Sequence, residues 1–334
     1  MSSDTLAIGV DLGGTNLRIA AYAPDSGLLE TIVFPTRLHQ GREGVTDEMC
    51  QAIRSLLDRH GNSRSIAGVG IGSPGPLELP GGVLRNPPNL PGWDGFELRS
   101  AVEHRLGRGV LVENDANVAA LGESILGTGK TLGTDSLCML TLGTGVGGGI
   151  VLRGKIWHGT TGMAGEVGHL NIWTEGIECR CGGHGCLEPN ASATGVLRKA
   201  EKLIAQGKAP GLAALRKNNP GFEAREVAEL ARAGDPEARE IFRHVGRSLG
   251  IGLANLVNTL NLPLYVIGGG LANAWSLFST ALFEELISHS YVYRMTAPAD
   301  GEAREFQPAK TYVMPAELGQ LAGLLGACLL PLNY

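Results

Sequence analysis

Residues 6–24 read LAIGVDLGGTNLRIAAYAP: an apolar run, a turn at Gly13-Gly14, then a second alternating apolar run. Two such runs joined through glycines predict a β-hairpin. The pattern returns about 130 residues further on, where residues 136–157 read SLCMLTLGTGVGGGIVLRGKIW, again strand, glycine turn, strand. Between the hairpins, VTDEMCQAIRSLLDR (45–59) spaces its apolar residues as a helix does. SIAGVGIGSPGP (65–76) reads as a buried strand halted by Pro74-Gly75-Pro76. The Pro/Gly-rich loop NPPNLPGW (86–93) leads through a short helix to the strand GVLVEN (109–114), and Asn114-Asp115 opens the helix ANVAALGESILG (116–127). From Thr160 to Pro189 the chain is rich in Gly, His and Cys and reads as irregular. Helices dominate from Ala191; the clearest runs from Pro236 to about Leu260, with Asp235 as N-cap and proline at the first helical position. LYVIGGGLANA (264–274) is a last buried strand with a triple-glycine turn, and LGQLAGLLGACLL (318–330) is a closing apolar helix. Alternating strands and helices predict an α/β fold, and the repeated hairpin points to two similar halves.

Composition narrows the function classes. The 334 residues are 43% hydrophobic and 18% charged, with a formal net charge of −5, which is ordinary globular composition rather than that of a disordered chain. A negative chain has no broad electrostatic reason to bind nucleic acid or an anionic membrane. No apolar run approaches the roughly 20 residues of a membrane helix. The start, MSSDTLAIGV, lacks the basic flank and apolar core of a signal peptide, so a cytoplasmic enzyme is expected. Fifty glycines are about twice the usual share of roughly 7%. Their clustering after β-branched stretches predicts loops shaped around a ligand, most often phosphate.

Asp11 lies two residues before Gly13-Gly14-Thr15-Asn16. Backbone N–H groups in such a turn can converge on phosphate oxygens, and a nearby carboxylate can hold a hydrated Mg²⁺; a plain hairpin with a turn-favouring aspartate is the alternative. The loop lacks the Lys-Ser/Thr of a Walker A motif, and strand rather than helix follows the glycines, unlike a Rossmann fingerprint. The second loop, Leu142 to Gly149, repeats the design. Asn114-Asp115 sits at a strand's carboxyl end, where α/β proteins place ligands. Either residue could be only an N-cap; the functional reading is a carboxylate that accepts a proton from an attacking hydroxyl. Cys179, Cys181 and Cys186 fall within eight residues, a spacing that favours metal over disulfide. One histidine would complete a tetrahedral Cys₃His set of the structural kind, with His169 and His184 both in reach along the chain. Cys50, Cys138 and Cys328 lie on apolar patterns as small buried hydrophobes. Glu166 and Glu188 flank the metal segment and suit a hydroxyl-rich ligand, or are solvated loop carboxylates.

Together GVDLGGTNLRIA, GIGSPGP, VENDANVAALGE, LTLGTGVGGGIV, GEVGH, CRCGGHGCLE and VIGGG resemble the ROK family of sugar kinases and sugar-responsive repressors, over essentially the whole chain. The resemblance implies a two-domain actin-like ATPase (ribonuclease H-like) fold with duplicated halves and an interdomain cleft. It divides the chain into an N-terminal α/β domain, 1–115, rejoined by the C-terminal helix at about 317–334, and a C-terminal α/β domain, 116–316, with a zinc-binding segment at 165–188. It implies that Asp11, Gly13, Gly14, Thr15 and Asn16 form the first phosphate loop with its Mg²⁺-associated aspartate, Asn16 standing where lysine is frequent. Thr144, Gly145 and Gly147 are then the second phosphate loop, and Gly269 and Gly270 the turn near the nucleoside. Asn114 becomes a sugar-hydroxyl ligand, Asp115 the catalytic base, and Glu166, His169 and Glu188 further sugar contacts, with Gly75 beside the sugar. The family pattern assigns His169, rather than His184, to a structural Zn²⁺ with Cys179, Cys181 and Cys186.

The implied reaction is transfer of the ATP γ-phosphoryl group to the primary 6-hydroxyl of a hexose. The NPPNLPGW loop resembles that of the family's glucokinases, which puts glucose first, with N-acetylmannosamine and N-acetylglucosamine as alternatives. A homodimer without nucleic-acid or membrane partners is also implied. A transcriptional regulator is the rival class. Those members resemble kinases with an added N-terminal helix-turn-helix, for which the residues before Asp11 leave no room.

Overall fold

A strand with neighbours on both sides and cover on both faces must be apolar almost throughout, whereas an edge strand can alternate. The first sheet follows this rule: TLAIGVDL is buried nearly end to end, while GLLETIVFP, an edge strand not anticipated from the sequence, alternates. The computed structural model describes residues 5–299 and 306–334. The chain begins β1 (Thr5–Leu12), β2 (Asn16–Ala23), β3 (Gly27–Pro35), α1 (Gly41–His60), β4 (Ser65–Ser73), β5 (Leu77–Glu78), β6 (Val83–Leu84), α2 (Leu98–Leu106), β7 (Val110–Asn114), α3 (Asp115–Ile125) and α4 (Thr128–Leu132). It continues with β8 (Leu137–Leu142), β9 (Val146–Leu152), β10 (Lys155–Ile156), α5 (Glu188–Ala191), α6 (Ala193–Ala205), α7 (Pro210–Asn218), α8 (Ala224–Arg232) and α9 (Pro236–Leu260). It ends with β11 (Leu264–Gly268), α10 (Trp275–His289), α11 (Tyr291–Thr296), β12 (Tyr312–Pro315) and α12 (Ala322–Asn333).

Two five-stranded sheets share one scheme, β3-β2-β1-β4-β7 and β10-β9-β8-β11-β12. In the first, β2 runs antiparallel to β1 and β3, while β4 and β7 continue parallel to β1. In the second, β10 is antiparallel to β9, while β11 is parallel to β8 and to β12. The two glycine hairpins of the sequence are the β1–β2 and β8–β9 connections. The second is shorter than its glycine run: Gly147, Gly148 and Gly149 lie in β9.

The chain divides into two compact units, Met1–Thr131 with Gly149–Gly165 and Gln320–Tyr334, and Leu132–Gly148 with Glu166–Gly319. The first unit takes in α3, beyond the boundary expected at residue 115. Its core joins Leu6, Ile8, Val10 and Leu12 of β1 to Met49, Ile53 and Leu56 of α1 and Val102 of α2. The other face of β1 and β4 is built of small residues against α12. A Cβ on Gly9 would lie 2.3 Å from Cys328 Sγ, and one on Gly70 2.1 Å from the Ala327 carbonyl oxygen. Much of the glycine excess therefore serves close packing and not phosphate loops, a correction to the compositional reading. Cys50, Cys138 and Cys328 are buried as expected. In the second unit, α9 starts as read, with Asp235 Oδ1 accepting from the Ala238 N–H at 2.8 Å, and ends at Asn261 in the left-handed region (φ 48°).

Candidate active site and metal knuckle

Because β1, β4 and β7 are parallel, their carboxyl ends share one edge of the first sheet, and ligands in α/β proteins gather at that edge. Register pairs Asp11 with Gly72, Gly72 with Glu113, and Ser73 with Asn114. Asp11 and the Asn114-Asp115 junction therefore end strands two apart, roughly 10 Å at the usual strand spacing.

Asp11 is half-buried, and Arg18, its cross-strand partner on β2, donates from Nη1 to Oδ2 at 3.4 Å. Burial pushes the Asp11 carboxyl up from its ordinary range, and the Arg18 guanidinium opposes that shift. Gly323 of α12 stands beside it: a Cβ there would be 3.5 Å from Oδ1. The following turn closes when Gly13 N–H donates to the Asn16 carbonyl at 3.0 Å. Thr36 pins it, its hydroxyl donating to the Gly13 carbonyl at 2.6 Å and its N–H to the Thr15 carbonyl at 2.8 Å. Thr15 and Asn16 are exposed. A Cβ on Gly14 would lie 2.5 Å from the Asn89 carbonyl oxygen, so the NPPNLPGW loop rests on this turn.

Asn114 caps α3: its Oδ1 accepts from the N–H groups of Ala116 (2.9 Å) and Asn117 (3.3 Å). The capping and ligand readings are compatible, since Nδ2 is left facing Gly75, where a Cβ would lie 3.0 Å away. Asp115, the first residue of α3, accepts from the Ala116 N–H at 2.8 Å and is partly exposed. Two residues not anticipated from the sequence stand behind this junction. Glu113, buried, accepts from Asn114 N–H (2.8 Å), Asn117 Nδ2 (2.9 Å) and His158 Nε2 (2.6 Å). A charge in the otherwise apolar GVLVEN signals a need for partners, but nothing local names a histidine 45 residues away.

In the second unit, the β8–β9 turn closes with Gly143 N–H on the Gly145 carbonyl at 2.9 Å. The start of α6 holds it, Ala193 N–H donating to the Gly143 carbonyl (2.9 Å) and Thr194 Oγ1 to the Thr144 carbonyl (2.7 Å). Thr144 itself is exposed. Glu188 Oε2 accepts from the Val146 N–H at 3.0 Å, and a Cβ on Gly145 would meet that oxygen at 2.3 Å. Gly269, at φ 84°, fits against Leu142, whose carbonyl oxygen would be 2.4 Å from a Cβ; beside Gly270 the space is open.

His169, Cys179, Cys181 and Cys186 bring one ligand atom each within 4.8 Å of one another. Their donor set suits tetrahedral zinc at a closed structural site. Among the described residues His169 joins this group and His184 does not. His169 presents Nδ1 to Cys179 Sγ (3.6 Å) and Nε2 toward Glu166 Oε2 (3.9 Å), two directions from one ring. Burial pushes the Cys186 thiol up to about 12, whereas the Gly183 N–H holds Cys181 below its ordinary value. A bound dication would draw all three toward thiolate.

Paired glycine hairpins, each at the head of a matching five-stranded sheet, and a Cys₃His knuckle define a two-domain α/β fold of the sugar-kinase kind. The chain belongs to the ROK family, whose sequence pattern matches residues 7–333. It is 37% identical over 326 residues to a glucokinase of Halalkalibacterium halodurans, covering 97% of this chain and 94% of that one. Its fold matches the ROK hexokinase of Thermus thermophilus (TM-score 0.79, 34% identity, 97% of each chain). It also matches a ROK glucokinase of Streptomyces griseus in complex with glucose and AMPPNP (TM-score 0.75, 32% identity, 97% of this chain and 98% of that one). More distant members include an N-acetylmannosamine kinase of Escherichia coli, 31% identical over 83% of this chain and 88% of that one. A xylose repressor of Caldicellulosiruptor bescii is 31% identical over 85% of this chain and 71% of that one. Among the described residues no helix is long and apolar enough to cross a membrane.

Proposed function

We propose that this protein is an ATP-dependent hexose kinase that phosphorylates the 6-hydroxyl, with glucose as first substrate. The observation that carries the reading is the pairing of Asp11 and Asp115 at one edge of one sheet, in a chain whose relatives include glucokinases. In this mechanism the Asp115 carboxylate takes the proton of the sugar hydroxyl as that oxygen attacks phosphorus in line. Asn114 Nδ2, Gly75, Glu166, His169 and Glu188 orient the sugar. Peptide N–H groups of Gly13 to Asn16 and of Thr144 to Gly147 orient the phosphates, with Gly269 and Gly270 toward the nucleoside. Preorganised donors of this kind supply most of the rate in phosphoryl transfer.

Asp11, a half-buried carboxylate only loosely paired with Arg18, fits a divalent cation, and Mg²⁺ held there would neutralise phosphate charge. Zinc in the Cys₃His set would be structural, fixing the segment between Glu166 and Glu188. A cytoplasmic homodimer belongs to the same reading. N-acetylmannosamine or N-acetylglucosamine as substrate is the alternative that the N-acetylmannosamine kinase relative favours; a sugar-sensing regulator is the alternative of another class.

Replacement of Asp115 by Asn tests the base. Turnover should fall by about 10²–10⁴-fold with sugar affinity held within about tenfold. Activity close to that of the unmodified protein removes Asp115 from the role. ADP release measured across hexoses and N-acetylhexosamines ranks the substrates, and turnover with none of them favours the regulator.

A further inference from the structure

Strand β7 carries one ionisable residue, Glu113, immediately before the cap of the helix that begins at Asp115. Its 5% exposure leaves an ionised carboxylate dependent on protein donors. Asn114 N–H and Asn117 Nδ2 satisfy Oε1, and His158 Nε2 meets Oε2 at 2.6 Å. One carboxylate thus joins the capping residue, the first turn of α3 and the segment Trp157–Gly165 that follows β10. That segment is anchored again where a Cβ on Gly162 would lie 3.3 Å from Leu79, and β10 just before it is held where Tyr334 OH accepts from the Ile156 N–H at 2.7 Å.

We propose that Glu113 and His158 are positioning residues for the reaction: their bond fixes the Asn114 cap, and with it the direction from which the Asp115 carboxylate meets the acceptor hydroxyl. This rests on the reading of Asp115 as base. The geometry explains why a buried charge sits where an apolar residue would serve the strand equally well. A misdirection of about 1 Å at the reacting group can cost on the order of 10²-fold in rate.

The bond to Glu113 raises the proton affinity of the His158 ring, and burial works against it. Beside the pair lie Asn117 from α3 and Tyr334 from α12, whose phenol is kept protonated by burial and, to a smaller extent, by Glu113. A histidine whose folded pKa is raised makes its contribution fully below the ordinary value and loses it as pH rises through the raised one. Deprotonation takes the charge out of the bond while the neutral ring can still donate from Nε2, so the positioning should weaken on the alkaline side.

The test uses His158→Ala and His158→Gln in the whole protein, with kcat and the sugar KM measured across pH 6–9.5 and folding followed by thermal melting. Glutamine keeps an N–H donor that does not titrate. His158→Ala should lower kcat about 10–100-fold with KM within about threefold. His158→Gln should recover kcat to within about threefold of the unmodified protein and flatten the alkaline fall. A kcat for His158→Ala within twofold overturns the proposal, as does an alkaline limb unchanged in His158→Gln. Should His158→Ala not fold, the pH profile of His158→Gln decides alone. Asp115→Asn is measured alongside: an active Asp115→Asn overturns the base reading, whereas an inactive one beside a fully active His158→Ala overturns positioning only.

Discussion

His244 stacks on Trp173 with ring centroids 5.1 Å apart, and its Nε2 lies 3.2 Å from Asn190 Oδ1. Asn190 in turn donates to the Cys186 carbonyl at 2.9 Å, so a ring on α9 supports the metal knuckle through one amide. Burial, aided by Lys199, Arg247 and Arg198, lowers the His244 pKa to about 4. The unfolded chain takes up this proton near the ordinary value of about 6.5. Stability is therefore present above pH 6.5 and is lost as pH falls toward 4, at up to about 1.4 kcal/mol per unit and about 2–3 kcal/mol in all. His244→Phe keeps a ring against Trp173 without the titration. Urea unfolding at pH 7 and pH 4.5 should show the unmodified protein losing more stability than His244→Phe by roughly that amount. Equal losses would mean that the imidazole is charged in the fold.

Where α12 crosses α3, the backbones approach too closely for side chains. A Cβ on Gly326 would fall 1.6 Å from the Val118 carbonyl oxygen, and one on Gly122 2.6 Å from that of Ala322. Gly326→Ala should therefore destabilise the protein by about 3 kcal/mol or more, at the upper end of overpacking costs. Gly109→Ala, where nothing lies within 4 Å, should be neutral or slightly stabilising. Chemical denaturation of both variants is the measurement, and similar midpoints would mean that the crossing yields easily. These glycines also mark how far local reading reaches. Gly13-Gly14 between two apolar runs announces a turn by itself, and so does the proline after Asp235 at the start of α9. Gly9 and Gly326 announce nothing, because their cause is a neighbour brought in from the far end of the chain.

At the scale of the whole molecule, the divide between legible and hidden follows sequence distance. Asp11, Asn114-Asp115 and the three cysteines each carry their meaning within a few residues, and the repeated hairpin already implies two matching sheets. Glu113 with His158, and Glu188 with Val146, join residues 45 and 42 positions apart, and no local pattern names such partners. The second pair changes what the metal would do. Cys186 lies two residues before Glu188, and Glu188 Oε2 holds the Val146 N–H at the end of the β8–β9 turn. A metal that fixes Cys186 therefore fixes a carboxylate read as a sugar contact and, through it, a loop read as a phosphate cradle. Removal of the metal by a chelator, or Cys181→Ser at the exposed ligand, should weaken both substrates together. The expected rise is about tenfold or more in the sugar Kd, in line with the cost of losing supports around a site, with a smaller rise for the nucleotide measured without sugar. Metal content by mass spectrometry and both affinities by calorimetry give the outcome. Complete loss of zinc with unchanged sugar affinity would separate the knuckle from the site; a change in sugar affinity alone would show that the Glu188–Val146 bond does not carry the effect into the loop.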